Sequence, residues 1–418
     1  MKFRLLVFLI GILFSVGIST EVVKAQQPQG VIPDNYIVVL RDDVADPVAV
    51  ANEMALAHGL SVDHVYLYAL KGFAAVIPEA RLARLKADPR IAFVSADRVV
   101  TVDGKPSGGG TTQAAQRLPT GVGRIGAGNL TNKGTGIQVA VIDTGIDVKH
   151  PDLADNISGG KNCSTGKSYT DGNGHGTHVA GTIAALDNAI GVVGVAPQAK
   201  LWSVRVLNNA GSGTWSSVIC GIDFVTAKAP ANGGSITVAN MSLGGTGTSD
   251  NNCGNTNNDA LHKAICRSRD AGVTYIVAAG NEADNAANHV PAAYNDAVIT
   301  VSALADSDGV AGGTGSATSY GADDTFASFS NFGQVVDLGA PGVSILSTWK
   351  GGGYNTISGT SMATPHVAGS AALYIASHPG SSWIQVRDGL QALAEPTGTG
   401  HTDPSSLHPE PVVLAGSL

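Results

Sequence analysis

Three short stretches, far apart in the chain, each offer one member of a set that could activate a hydroxyl group. Val139-Ala-Val-Ile-Asp143-Thr-Gly-Ile-Asp147 supplies a carboxylate, His175-Gly-Thr-His-Val-Ala-Gly-Thr182 an imidazole, and Gly359-Thr-Ser361-Met-Ala-Thr-Pro-His366 a hydroxyl. A serine hydroxyl is a poor nucleophile unless a positioned imidazole takes its proton and a buried carboxylate holds that imidazole in the productive tautomer. Asp143, His175 and Ser361 can fill those roles, and the chemistry would be acyl transfer. Each also has an ordinary reading. Asp143 could be a turn residue and Ser361 a helix N-cap, the commonest job for serine at such a place.

Rival chemistries are poorly served. Asp143-Thr-Gly145 spells the triplet of aspartic proteases, which need two carboxylates sharing a proton, but no second Asp-Thr-Gly or Asp-Ser-Gly follows. His175 and His178 stand one helical turn apart without a His-Glu-x-x-His pattern, so His175 is read as the base and His178 as packing. No Gly-x-Ser-x-Gly occurs, which removes the nucleophile elbow of the α/β-hydrolases. The four cysteines, Cys163, Cys220, Cys253 and Cys266, include no Cys-x-x-Cys pair, so zinc is disfavoured. They could form disulfides in an oxidising compartment or remain free buried thiols. Three pairings are possible and the sequence does not choose. The preferred one joins Cys253 to Cys266, closing a short loop before a helix, and Cys163 to Cys220.

The elements that must position these side chains follow from apolar runs alternating with helical patterns after about Ala115, the signature of a parallel sheet flanked by helices. Strands are expected at 137–142, 201–207, 236–242, 274–279 and 298–302, and helices at 175–185, 216–227, 257–270, 361–376 and 383–393. Asp143 then stands at the carboxyl end of a strand, where open α/β sheets bind ligands. Ser361 enters a helix N-terminus, whose amides and dipole favour the negative charge of a tetrahedral intermediate.

Residues 32–103 read as a small α+β unit: strand 36–40, helix 48–58, strands 62–70 and 72–77, helix 79–87 and strand 91–102. Gly104-Lys-Pro-Ser-Gly-Gly-Gly-Thr-Thr112 has linker composition. The last residues, 396–418, rich in Pro, Gly and Ser, are expected to form a surface tail.

The chain order Asp, His, Ser and the wrapping of each residue resemble the subtilase family. A fourth segment strengthens the likeness: Tyr275-Ile-Val-Ala-Ala-Gly280-Asn281 is similar to the family strand whose asparagine donates to the oxyanion, beside the Ser361 N–H. The resemblance implies a subtilisin-like α/β catalytic domain at 115–395, preceded by a ferredoxin-like inhibitory propeptide at 32–103 and a linker at 104–114. It puts self-processing near Gln113–Ala115. It implies a serine endopeptidase acting on extended polypeptide segments, with a large apolar or aromatic residue before the scissile bond. Asn240-Met-Ser242-Leu243-Gly244-Gly245 resembles one cleft strand, and Gly211-Ser212-Gly213 the facing one, with Ala279 and Gly280 beside the pocket. Leu186-Asp-Asn188-Ala-Ile190-Gly-Val192, with Gln116 and Asp152, resembles the family's structural calcium loop, although the chain between Gln116 and Asp143 is shorter here. No cofactor is implied for catalysis. The alternatives are a non-catalytic binding or scaffold protein on the same fold and an esterase of small substrates.

Composition sets the compartment. Lys2 and Arg4, the apolar run Leu5–Ile18 and Val23-Lys-Ala25 read as a secretory signal over residues 1–25, too short for a membrane span of roughly 20 apolar residues. Charged residues are 14% of the chain and the net charge is −8, which leaves no basic footprint for nucleic acid or anionic membrane. A secreted monomer is expected.

Overall fold

A computed structural model describes residues 30–102 and 115–418 of the protein. The expected signal at 1–25, the linker at 104–114, and Gln113 of the processing site lie outside the described residues.

The N-terminal unit runs β1 (Val31–Leu40), α1 (Pro47–His58), β2 (Ser61–Tyr66), β3 (Gly72–Val76), α2 (Glu79–Lys86) and β4 (Ile91–Val102). Its antiparallel sheet has the order β4-β1-β3-β2. Alternation along β1 feeds two cores. Val38 and Leu40 pack with Met54, Phe73 and Leu85 inside the unit, whereas Ile37 and Val39 join the core of the larger domain. β2 stops at Tyr66, short of the expected Leu70, because the amides of Leu67, Tyr68 and Ala69 turn away to Asp223 of the larger domain at 3.0, 2.6 and 2.8 Å.

The larger domain continues with α3 (Thr120–Arg124), β5 (Gln138–Asp143), β6 (Ile157–Asn162), α4 (His175–Ala184), β7 (Lys200–Arg205), β8 (Ser212–Thr214), α5 (Trp215–Ala227), β9 (Ile236–Met241), β10 (Leu243–Thr246), α6 (Ala260–Asp270) and β11 (Thr274–Ala278). After these come β12 (His289–Val290), β13 (Ile299–Ala305), β14 (Thr325–Phe326), β15 (Leu338–Pro341), the hairpin β16 (Ile345–Trp349) and β17 (Gly353–Ile357), α7 (Thr360–Ser377) and α8 (Trp383–Leu393). The central sheet has the order β14-β13-β11-β9-β5-β7-β6, with β15 also on β13, and every pairing except β13–β14 is parallel. Both faces are covered. On β5, Val139 and Val141 face the core shared with α4 and α7, and Ala140 and Ile142 the core shared with α5 and α6, so the strand reads as a continuous apolar run.

α6 begins three residues later than expected because Asp259 caps it, accepting from Leu261 and His262 N–H. The structure pairs Cys163 with Cys220 and Cys253 with Cys266, the preferred pairing. The segment after residue 396 is no surface tail. Val412, Val413 and Ala415 are fully buried, Val412 bridges Gly339 and Glu395, and Glu410 is buried against Ser302. The apolar run Val412–Ala415 outweighs the surrounding Pro, Gly and Ser. No helix among the described residues is long and apolar enough to cross a membrane.

Candidate active site

Asp143 ends β5, the strand from which the chain spreads to β7 on one side and β9 on the other. His175 opens α4. Gly174 precedes it at φ +118°, and a Cβ there would meet the Trp349 ring at 2.4 Å, so only glycine makes this turn. The loop is tied down by Asp171, which accepts from the N–H groups of Asn173, Gly174 and Thr177 at 2.8, 2.9 and 3.0 Å and from the Thr144 and Thr177 hydroxyls. Burial raises the Asp171 carboxyl, while these donors favour its ionised form. Thr144 in turn accepts from Gly176 N–H at 3.0 Å.

These constraints bring His175 Nδ1 to 2.9 and 3.0 Å from the two Asp143 oxygens, with Asp143 fully buried and His175 nearly so. Asp143 Oδ1 also accepts from Thr144 N–H at 2.6 Å. A carboxylate gripping Nδ1 fixes the tautomer that leaves Nε2 for proton transfer. His178 is buried one turn on. Its Nε2 lies 2.9 Å from the Ile345 carbonyl, and burial pushes its pKa down to about 3, a neutral packing residue.

Ser361 lies in the first turn of α7, but the N-cap is Gly359, which has no side chain to cap with. Its hydroxyl instead donates to the Ser242 carbonyl at 3.1 Å, and the Ser242 hydroxyl donates back to the Ser361 carbonyl at 2.9 Å. The capping role considered for Ser361 is therefore absent. Asn281 follows β11. Its Oδ1 accepts from Thr360 N–H and hydroxyl at 2.8 and 3.1 Å, which fixes which end of the amide carries the donors.

The two strands expected to line the cleft, β8 and β10, both pair with a strand of the chain itself. β4 lies antiparallel between β8 and β10, with Val100 opposite Gly213, Thr101 opposite Ser212 and Gly244, and Val102 opposite Leu243. Val102 N–H donates to the Gly211 carbonyl at 3.0 Å. The register brings β4 to within one residue of Ser242, the group that touches Ser361. Beside Thr101 opens a cavity of about 260 Å³, lined by Gly244, Gly245, Ala279, Gly280 and Val290, with Glu282 and His289 adding polar groups.

A profile of the subtilase family matches residues 134–406. The chain belongs to the subtilase family. A second profile, peptidase inhibitor I9, matches residues 35–103, the unit that ends in β4. Among subtilase relatives, subtilisin J of Geobacillus stearothermophilus is 37% identical over 398 residues, covering 93% of this chain and 92% of that protein. Subtilisin E of Bacillus subtilis is 40% identical over 329 residues, 77% and 74% of the two chains. An extracellular serine proteinase of a Thermus species is 39% identical over 393 residues, 87% and 86%. The crystal structure of a cold-adapted subtilisin-like serine proteinase superposes with a TM-score of 0.57 at 37% identity, covering 72% of this chain and 98% of that one. The protein is thus a subtilisin-like serine endopeptidase with an Asp-His-Ser triad and its own inhibitor domain.

The residues expected to hold calcium also converge. Asp152 Oδ1 accepts from the Asn188 amide at 2.9 Å and Oδ2 from Val192 N–H at 3.0 Å, and Gln116 Oε1 accepts from Asn188 N–H at 2.6 Å. The carbonyls of Leu186, Ile190 and Val192 accept no hydrogen bond from the described residues. Free carbonyls around a buried carboxylate fit a hard cation. Sequence reasoning missed Asp171, Thr144 and Ser242 as supports. An acid just ahead of two glycines, Asp171-Gly-Asn-Gly174, was the available signal for the first.

Proposed function

We propose that the chain is a secreted proenzyme that cuts itself and then cleaves exposed, extended segments of other polypeptides. Ser361 Oγ attacks the peptide carbonyl, its proton passes to His175 Nε2 and on to the leaving amine, and water releases the acyl-enzyme. Asp143 holds His175, and the Asn281 side chain with the Ser361 N–H stabilises the oxyanion. Gly211, Ser212 and Gly213 on one side, and Ser242, Leu243, Gly244 and Gly245 on the other, bind the substrate main chain as an added strand. The cavity beside Ala279 and Gly280 takes the side chain before the scissile bond. Its glycine and alanine walls favour a large apolar or aromatic residue.

The observation that carries this reading is β4, which already occupies the cleft as a substrate would. Because β4 reaches the nucleophile by Val102, we place an initial cut close behind Val102, followed by trimming to Gln113–Ala115. Residues 1–25 would serve as the export signal and 32–103 as propeptide. The domain from Ala115 takes in the packed residues 396–418. Calcium at Gln116, Asp152, Asn188 and the carbonyls of Leu186, Ile190 and Val192 would brace the loop after α4, supplying charge balance for Asp152 and no step of the chemistry.

Tetrapeptide anilides differing only in the residue before the bond test the substrate reading. Aromatic residues should give the highest kcat/KM, with extended peptides preferred over small esters; equal rates on single-residue esters and tetrapeptides would overturn it. Mass spectrometry of the released N-termini should find the early cut and the trimmed end.

A further inference from the structure

A second group of oxygen donors lies away from the triad and from the Gln116–Asp152 loop. β13 ends at Ala305, which pairs with Thr325 of β14, and this hairpin base brings the turn Asp306-Ser-Asp308-Gly309 against Asp323. Carboxylate oxygens of Asp306, Asp308 and Asp323 lie within 4.8 Å of one another. Asp306 is 2% exposed and Asp323 5%, whereas Asp308 faces solvent. Loop amides satisfy part of the set. Gly309 N–H donates to Asp306 Oδ1 at 3.0 Å, Val310 N–H to Asp308 Oδ1 at 2.9 Å, and Ser307 and Gly315 N–H to the two Asp323 oxygens at 2.8 and 2.7 Å. Asp306 Oδ2, however, is buried with no hydrogen-bond partner.

A buried carboxylate oxygen without a partner is costly, and a second carboxylate beside it raises the cost. Arg124 eases that cost through its charge but makes no hydrogen bond to Asp306 Oδ2. Arg124 is engaged by Asp324 Oδ1 at 2.7 Å and Glu395 Oε1 at 2.8 Å, two carboxylates that already balance its charge. Three carboxylates are thus gathered in one place with one buried oxygen unspent.

We infer that Asp306, Asp308 and Asp323 form a calcium site that staples the base of the β13–β14 hairpin. Oxygens held about 2.3–2.6 Å from a common calcium ion lie at most about 5 Å apart, which the observed cluster meets. All three ligands are hard oxygens, and the glycine-rich loop can supply carbonyls and leave room for water, which suits calcium better than the rigid octahedron of magnesium. The other cluster of metal-type donors, Cys253, His262, Cys266 and Asp296, differs because both its sulfurs are spent in a disulfide.

The test uses the full chain carrying Ser361→Ala to prevent self-digestion, stripped with chelator and titrated with calcium chloride by calorimetry. Adding Asp308→Asn, at an exposed position that folding should tolerate, is expected to remove one binding event or weaken it at least 10-fold, as is Asp323→Asn. Asp152→Asn should leave that event intact, so failure of the Gln116–Asp152 proposal would be seen separately. Hydrogen exchange across residues 306–324 should slow on adding calcium in the Ser361→Ala parent and not in the Asp308→Asn protein. Unchanged stoichiometry and affinity in both Asn variants, or calcium-independent exchange in this segment, would overturn the inference.

Discussion

Asp143 and Asp223 both accept N–H donors away from bulk solvent, yet one has all its partners within the larger domain and the other spans the seam to the inhibitor domain. Asp143 is bound to Thr144 of its own turn and to His175 on a helix packed directly on that turn, where a Cβ on Gly176 would lie 2.2 Å from the Gly145 carbonyl. Nothing in that set belongs to the propeptide. Asp223 on α5 accepts three amides from the propeptide, and Asp97 on β4 reciprocates, accepting from Ser216 N–H at 3.0 Å and its hydroxyl at 2.5 Å at the start of α5. Tyr66 adds a hydrogen bond to the Ser216 carbonyl at 3.0 Å. The catalytic centre is therefore self-sufficient, while the inhibitor is held by a strand laid between β8 and β10, by polar anchors, and by Ile37 and Val39 packed into the larger domain's core. Release of the propeptide should leave the triad geometry unchanged.

Breaking the self-sufficient side should have the largest effect. Asp143→Asn keeps the shape but favours the wrong His175 tautomer, and kcat on a peptide anilide should fall by about 10⁴-fold with little change in KM. Asn281→Ala would remove the proposed oxyanion donor and should lower kcat by about 10²–10³-fold, the magnitude already established for loss of the oxyanion asparagine in this family. Maturation should become slow, not absent, as followed by gel electrophoresis of the precursor.

The seam should respond more mildly and in the opposite sense. Asp223→Ala strands three propeptide amides, a loss of about 1–3 kcal/mol, or about 5–150-fold in affinity for the inhibitor. The lag between self-cleavage and the appearance of peptidase activity should shorten, whereas a steady-state kcat that fell with it would mean that the seam and the triad are coupled.

The smallest effect is one of pH. Burial raises both Asp97 and Asp223 above the ordinary carboxylate value. A raised acid in the assembled form means that assembly takes up protons, so these groups favour the bound propeptide as pH falls toward the carboxylate range and disfavour it as pH rises through their raised values. Retention of the cleaved propeptide on gel filtration should be greater in acidic buffer close to the ordinary carboxylate range than at neutral pH, and the dependence should shrink in the Asp97→Asn, Asp223→Asn protein.

The same contrast governs what was legible in the sequence. The triad was readable because each member sits in a dense local wrapping: an apolar strand before Asp143, small residues after His175, a glycine turn before Ser361. The five inner strands β5, β7, β9, β11 and β13 were readable because they are largely buried on both faces, whereas the outer β6, β14 and β15 were not expected. The seam was not. Asp97 and Asp223 look like ordinary surface acids, and only the tertiary fold places them against helix and loop amides. β8 and β10 were reached only through the family resemblance, and the β16–β17 hairpin escaped notice, because these strands are short and glycine-rich or polar. The packed C-terminal segment was misread because composition was weighed above the four apolar residues Val412 to Ala415.

The account stands or falls on β4 being held in the cleft as the enzyme's own first substrate. The most direct measurement is the intact mass of the purified full chain and of Ser361→Ala, followed over time in calcium-containing buffer with no other protease present. The account predicts that wild type separates into propeptide and catalytic domain, with a cut close behind Val102, while the Ser361→Ala protein remains one folded, uncut chain. Cleavage of the Ser361→Ala protein at the same bond and rate would contradict it.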